Sequence, residues 1–196
     1  MIFKTFQSTY HNPVIYKYLM QIIKTSIEGL VELQPRIFED ERGHFFETFS
    51  KTAFENLGLP THFVQDNQSF SIKGVLRGLH FQKSPFAQGK LVRVVTGRVL
   101  DVGVDIRPGS PTFGKYEIFD LDAKRGNMAY IPEGFAHGFV TLEDTIFAYK
   151  CTNIYNKVSE SGIHWSDPDL GIDWQIKNPI VSIKDEELSA FKDVCA

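Results

Sequence analysis

Apolar residues in this chain cluster in short β-branched runs, and the turn-forming residues fall between them. From Lys90 to Ile106 the stretch "KLVRVVTGRVLDVGVDI" joins two such runs at Thr96-Gly97, the pattern of two antiparallel strands around a tight turn. A hairpin is expected there. The pattern continues through "FGKYEIFDL", "MAYIPEGFAHGFVTL" and "TIFAYKCTNIY", separated by "RPGSPT", "DAKRGN" and "LEDT", where Pro, Gly, Asn and Asp mark turns. Many short strands with no helix between them predict a mainly β fold: an antiparallel jelly-roll sandwich or barrel with a few short helices. The interior of such a barrel is a natural small-molecule pocket. Helical spacing is confined to "SKTAFENLG", Ser50 to Gly58, with a serine cap and a terminal glycine, and to the region of "DEELSAFKDV".

Opening strands are legible from Met20, in "MQIIKTSIEGLVELQPRIFED". Residues 1–19 therefore read as a peripheral N-terminal extension and 20–196 as a single jelly-roll domain, with Met20 an alternative start. A length of 196 residues suits one domain with a substantial core. A net charge of −3, with no long basic run, gives no electrostatic footprint for nucleic acid or an anionic membrane surface. Cys151 and Cys195 match no metal-ligand spacing, and so low a count suits free thiols in a reducing compartment. No apolar run approaches the roughly 20 residues that span a bilayer, and the first residues lack a signal-peptide pattern. A cytosolic protein is expected.

Chemistry enters with "GVLRGLHFQ", Gly74 to Gln82, which sets a guanidinium and one of only six histidines inside a core-like strand. Other polar groups that stand out lie in "DERGHFFETF", "FVQDNQS", "QGKLVR", "PEGFAHGF", "FAYKCTNIY" and "SIKDEE". Jelly rolls often hold a metal through clustered imidazoles, but His80 is followed by Phe81 and Gln82 rather than by a second histidine two residues on. A metal held by His80 and His137 converging in space remains the alternative. Acid–base chemistry without a metal fits the inventory better.

The motifs "GVLRGLHFQ", "QGKLVRVV", "GSPTFGK", "YIPEGFAHGF" and "DPDLGIDW", in this order and spacing, closely resemble the dTDP-4-dehydrorhamnose 3,5-epimerase family, from about Met20 to Asp185. The resemblance implies a cupin-like jelly-roll homodimer with strand exchange between subunits. It also implies action without metal or organic cofactor on dTDP-4-dehydro-6-deoxy-D-glucose, inverting C3 and C5 toward L-rhamnose. Both carbons flank the C4 ketone, so loss of either proton gives an enolate whose charge rests on the C4 oxygen.

Matched motif by motif, His80 resembles the family's general base, and Tyr149 the acid that delivers a proton from the other side. Imidazole suits a base because its ordinary pKa of about 6.5 leaves a large neutral fraction near pH 7. Asp185 matches the carboxylate that orients the base, and Lys90 the cation that stabilises the enolate. Substrate-binding roles fall by resemblance to Arg42, Glu47, Gln65, Asp66, Asn67, Arg77, His137, Glu160 and Lys184. Strict alternation sends Arg77 and His80 to opposite faces, and a bulge at Gly78 would turn both inward. The connection "TLEDTIFAYK" is one residue shorter than the family's common form. Ile154 stands where many members have tyrosine, and His44 where they have phenylalanine. Two rival readings stay open: a relative that inverts one carbon only or isomerises the keto sugar, and a non-catalytic sugar-nucleotide-binding barrel. Possession of all four of His80, Tyr149, Asp185 and Lys90 favours an enzyme.

Overall fold

The structure, a computed structural model, describes residues 19–195. The N-terminal extension read from the sequence thus lies, up to residue 18, outside the described residues. Two antiparallel sheets dominate. The first has six strands in the order β1 (Met20–Lys24), β2 (Val31–Pro35), β10 (Met128–Ile131), β7 (Lys90–Thr96), β12 (Thr145–Cys151) and β5 (Gln65–Ser71). The second has five, in the order β13 (Glu160–Gly162), β6 (Leu76–Gln82), β11 (Phe135–Thr141), β8 (Arg98–Asp105) and β9 (Tyr116–Asp122). A separate two-stranded ribbon pairs β3 (Phe38–Asp40) with β4 (Gly43–Phe45). The helices are short: α1 (Lys51–Asn56), α2 (Ile183–Glu186) and α3 (Phe191–Cys195). The jelly-roll sandwich expected from the sequence is the observed fold.

The two sheets create three apolar layers. Between them, Val92, Val94, Ala129, Ile131 and Phe147 of the first sheet meet Val99, Phe119, Leu121, Phe135 and Phe139 of the second. The outer side of the second sheet, through Leu76, Leu100, Val102, Val104 and Val140, is covered by Ile163, Trp174 and Phe191 of the C-terminal segment. On the outer side of the first sheet, Leu33, Leu91, Met128 and Tyr130 pack against Phe54 of α1. Strands covered on both faces favour apolar residues at most positions, which is why β8 and β11 read as near-continuous apolar runs rather than as alternating ones. Phe147 is fully buried and stacks on Phe139 at 4.2 Å between centroids. Truncating it to alanine would cost about 3–5 kcal/mol.

The expected hairpin at Thr96-Gly97 is not one. β7 and β8 belong to opposite sheets, and the chain crosses the sandwich at Gly97, whose φ is +83°. A Cβ there would lie 2.5 Å from the Asp144 carbonyl oxygen, so the corner leaves room only for glycine. Sequence pattern marks a tight reversal without saying whether the second strand pairs with the first or faces it. Around α1, Ser50 occupies the N-cap position but its side chain makes no capping bond. The C-terminal helical region is split, with Glu187 to Ala190 separating α2 from α3.

The bulge at Gly78 is present. His80 pairs with His137 and Arg77 with Phe139, so two residues of β6, Gly78 and Leu79, oppose the single Gly138 of β11. Gly78 takes φ +131°, and a Cβ on it would lie 2.5 Å from the Gly138 Cα. The extra residue restores the phase: Leu76 and Leu79 both face the outer layer, leaving Arg77 and His80 on the inner side.

Candidate active site

One mouth of the sandwich opens into a cavity of about 140 Å³ lined by residues of both sheets, among them Gln65, Asn67, Lys90, Tyr149 and Cys151 from the first and His80, Gln82 and Glu160 from the second. The strand period accounts for these inward positions. In β5, Gln65 and Asn67 point in while Asp66 points out. In β12, Tyr149 and Cys151 follow the parity of buried Phe147.

His80 is held from behind. Asp185, brought there by α2, lies with Oδ1 2.7 Å from His80 Nε2, and its Oδ2 accepts the Gly78 N–H at 3.3 Å. Burial pulls the Asp185 carboxyl upward, but the His80 hydrogen bond and charge, the Gly78 amide and Lys184 outweigh it and hold the group below the ordinary carboxylate range. An ionised carboxylate only accepts, so Nε2 carries the proton and Nδ1 keeps a lone pair. The Ser182 hydroxyl in turn accepts the Asp185 N–H at 3.1 Å and fixes the start of α2.

Opposite His80, on the other sheet, stands Tyr149. Burial above all, together with Cys151, pushes its hydroxyl pKa up, against a smaller opposing effect of Arg77. Tyr149 therefore stays protonated through neutral pH. Lys90 enters beside it from β7, paired in register with Cys151, and desolvation draws its pKa down. At the rim, Glu160 accepts hydrogen bonds from Lys184 Nζ at 2.7 Å and from the Tyr155 hydroxyl at 2.9 Å.

The motifs thus bring His80, Tyr149, Lys90, Gln65, Asn67 and Glu160 to one cavity, with Asp185, Lys184 and His137 directly behind its walls. Other expected binding residues lie elsewhere. Asp66 faces away and bonds Lys150 at 2.6 Å. Arg77 shares the inner face but binds the Ser71 hydroxyl at 3.0 Å. Arg42 is exposed on the β3–β4 ribbon, paired with Asp40, and neither it nor Glu47 lines the cavity. Neither departure from the family motif touches it: His44 stacks on Phe46, Ile154 is half exposed, and Tyr155 takes the place at the rim. The shorter connection before β12 leaves Tyr149 in register with Asn67.

Sequence reasoning overlooked Asp101, whose Oδ2 lies 2.8 Å from His137 Nε2 in the interior. The signal was there: a carboxylate inside the otherwise apolar run of β8. Gln82 was missed as well. Its amide binds the Phe86 and Ile154 carbonyls and the Asn156 N–H, tying down the rim.

The family model described as dTDP-4-dehydrorhamnose 3,5-epimerase matches residues 24–193. The chain belongs to this family. It is 51% identical over 176 residues to the dTDP-4-dehydrorhamnose 3,5-epimerase of Shigella flexneri, covering 89% of this chain and 97% of that one. A crystal structure of the Legionella pneumophila dTDP-6-deoxy-D-glucose-3,5-epimerase in complex with dTDP-4-keto-L-rhamnose superposes with a TM-score of 0.86 at 48% identity, over 89% of this chain and 94% of that one. A dTDP-4-dehydrorhamnose 3-epimerase of Streptomyces niveus is more distant, at 38% identity over 86% of this chain and 82% of that one.

Proposed function

We propose that this epimerase converts dTDP-4-dehydro-6-deoxy-D-glucose to dTDP-4-dehydro-L-rhamnose by inverting C3 and C5. The reading rests on one observation: His80 and Tyr149 enter a single cavity from opposite sheets, with Lys90 beside them. A carbon held between the two presents one face to a base and the other to an acid. His80 Nδ1 takes the proton from C5 or C3, and the electron pair of that C–H bond moves to the C4 oxygen. Lys90 supplies fixed positive charge where the enolate charge develops. Tyr149 then delivers a proton to the opposite face, and the inverted centre results. Repetition at the second carbon completes the reaction, with His80 losing its proton and Tyr149 regaining one through water after each inversion. Closer similarity to the double epimerases than to the 3-epimerase supports inversion at both carbons.

A cavity of about 140 Å³ is smaller than the roughly 300–1,000 Å³ that encloses a drug-sized ligand. It suits the sugar ring, with the nucleotide lying along the rim, where Lys184 and Arg77 suit the diphosphate and the Gln65 and Asn67 amides suit hydroxyls. In this reading Arg42 and Glu47 serve the site of a second copy in a homodimer. The β3–β4 ribbon that carries Arg42 lies outside both main sheets with Phe38 and Phe45 exposed, as a segment that packs on a partner would. In the same reading catalysis belongs to the domain from residue 20 onward, and the enzyme works in the cytoplasm.

The test is incubation with the keto sugar nucleotide in deuterated water, followed by NMR. Deuterium at both C3 and C5 of a rhamno-configured product is expected. Label at one carbon alone would reassign the chain to a single-carbon epimerase, and no label would leave a binding module.

A further inference from the structure

Between β12 and β13 the chain passes the mouth of the cavity, and its stretch from Ile154 to Asn156 is held by side chains. Among the described residues, 153–155 make no hydrogen bond from main chain to main chain. Three consecutive main-chain groups go instead to two glutamines. Gln82 Nε2 donates to the Ile154 carbonyl at 3.1 Å, the Tyr155 N–H donates to Gln65 Oε1 at 2.8 Å, and the Asn156 N–H donates to Gln82 Oε1 at 2.7 Å. Gln65 begins β5 in the first sheet, and Gln82 ends β6 in the second. This strap is therefore gripped from both sheets at once.

The other donor hydrogen of Gln82 goes to the Phe86 carbonyl at 2.6 Å. Two carbonyls and one N–H around a single amide fix its orientation, because the flipped amide would set oxygen against oxygen twice. Although Gln82 lines the cavity, it is only 8% exposed and both its donor hydrogens are used within the protein. It has none left for a ligand. What the strap carries is Tyr155, which lines the cavity and is half exposed. Tyr155 is fixed at both ends, by Gln65 at its N–H and by Glu160 at its hydroxyl, and Glu160 pairs in register with Gln82.

We propose that Gln82, with Gln65 facing it, is a positioning residue for nucleotide binding: the two amides hold the 154–156 strap across the mouth, so that Tyr155 and the Glu160–Lys184 pair stand at fixed places on the rim. Gln82 acts through Tyr155 and not by touching the substrate. The proposal rests on the reading above that the nucleotide lies along this rim.

The experiment compares the full-length parent with Gln82→Met, Tyr155→Ala and the double variant, using dTDP as the probe in calorimetry. Gln82→Met and Tyr155→Ala should each weaken dTDP binding by about tenfold, and the double variant should bind no more weakly than Tyr155→Ala alone. With the keto sugar nucleotide, the loss in Gln82→Met should fall on KM more than on kcat. By NMR of the 15N-labelled protein, the Asn156 amide should exchange with solvent at least about tenfold faster in Gln82→Met, while the amides of β8 and β11 keep their protection. Unchanged dTDP affinity, fully additive losses or an unmoved Asn156 amide each overturn the proposal. If Gln82→Met does not fold, Gln65→Met takes its place in the same cycle, read at the Tyr155 amide. Because dTDP carries no hexose, hydroxyl contacts of Gln65 do not enter that measurement, and additive losses or an unmoved Tyr155 amide overturn the proposal equally. A parent that fails to bind dTDP strikes the reading of the rim and with it the nucleotide role of the strap, whereas faster Asn156 exchange still supports the clamp itself.

Discussion

His80 and His137 are direct neighbours across the β6–β11 ladder, and each is bonded through Nε2 to an aspartate, at 2.7 and 2.8 Å. Yet the His80 side chain is 32% exposed, whereas that of His137 is 7% exposed and that of Asp101 0%. The partners arrive differently too. Asp101 lies within a central strand, while Asp185 comes from a one-turn helix 105 residues beyond His80. One pair of groups, placed twice, has two uses. At the cavity wall the imidazole can exchange a proton with a ligand and return it to water. In the core, burial holds it neutral and it serves as a fixed donor to a carboxylate.

The largest effect expected is from His80→Asn, which removes the base but leaves the rim. Deuterium exchange at C3 and C5 should fall by about 10³–10⁴-fold, with nucleotide affinity within about tenfold of the parent by calorimetry. His137→Asn should lose less, by at least about tenfold. Equal losses from the two variants would break the distinction between a working and a supporting imidazole.

Asp185→Asn comes next, at about 10²-fold in kcat, because the imidazole keeps its place but loses the negative charge that stabilises its protonated form. The same change has a stability signature. With its native pKa below the unfolded value, the Asp185 carboxyl stabilises the fold above about pH 4, and that contribution disappears as pH falls through the native value. The Tm of Asp185→Asn should therefore lie below that of the parent at pH 7, with the gap closing in acid. A constant gap down to pH 2 would place the destabilisation in packing rather than in charge.

Tyr149→Phe sharpens the contrast between the two walls of the cavity. Net inversion should fall by about 10²-fold, while exchange of the original proton, which needs only His80, falls less. Parallel loss of both activities would argue that Tyr149 positions the sugar instead of protonating it.

How much of this was legible in the sequence depended on whether the relevant contact is local. Strand parity is local, so Gln65 and Asn67 could be placed together, and the same rule would have excluded Asp66. The Gly78 bulge was readable because a positively charged residue and a histidine three apart had to reconcile their faces around a glycine. By contrast, Gly97 reverses the chain in either topology, and only the opposite-sheet packing of Val94 and Val99 decides between them. Arg42 and Glu47 were taken from the motif resemblance, and within a single chain neither lines the cavity. Asp101 was passed over because it lies among apolar neighbours where no motif drew attention to it, although a carboxylate in a doubly covered strand is itself the signal.

The smallest effect expected is from removing metal, and it bears on both pairs at once. A carboxylate bonded to an imidazole is also the usual support behind a metal-ligating histidine, so the two Asp–His pairs alone do not separate acid–base chemistry from metal chemistry. The rest of the donor set does. Among the described residues no three His, Cys, Asp or Glu groups converge to hold an ion. Lys90 lines the same cavity, and an ammonium there would repel a divalent ion. A metal on His80 Nδ1 would moreover occupy the lone pair that must accept the substrate proton. Turnover should be unchanged, within about twofold, after dialysis against EDTA, and added Zn²⁺ should inhibit rather than activate by capturing His80. Stoichiometric metal in the purified protein, together with loss of turnover on chelation and recovery with Zn²⁺, Mn²⁺ or Fe²⁺, would make His80 a ligand and reverse the roles assigned to the two pairs.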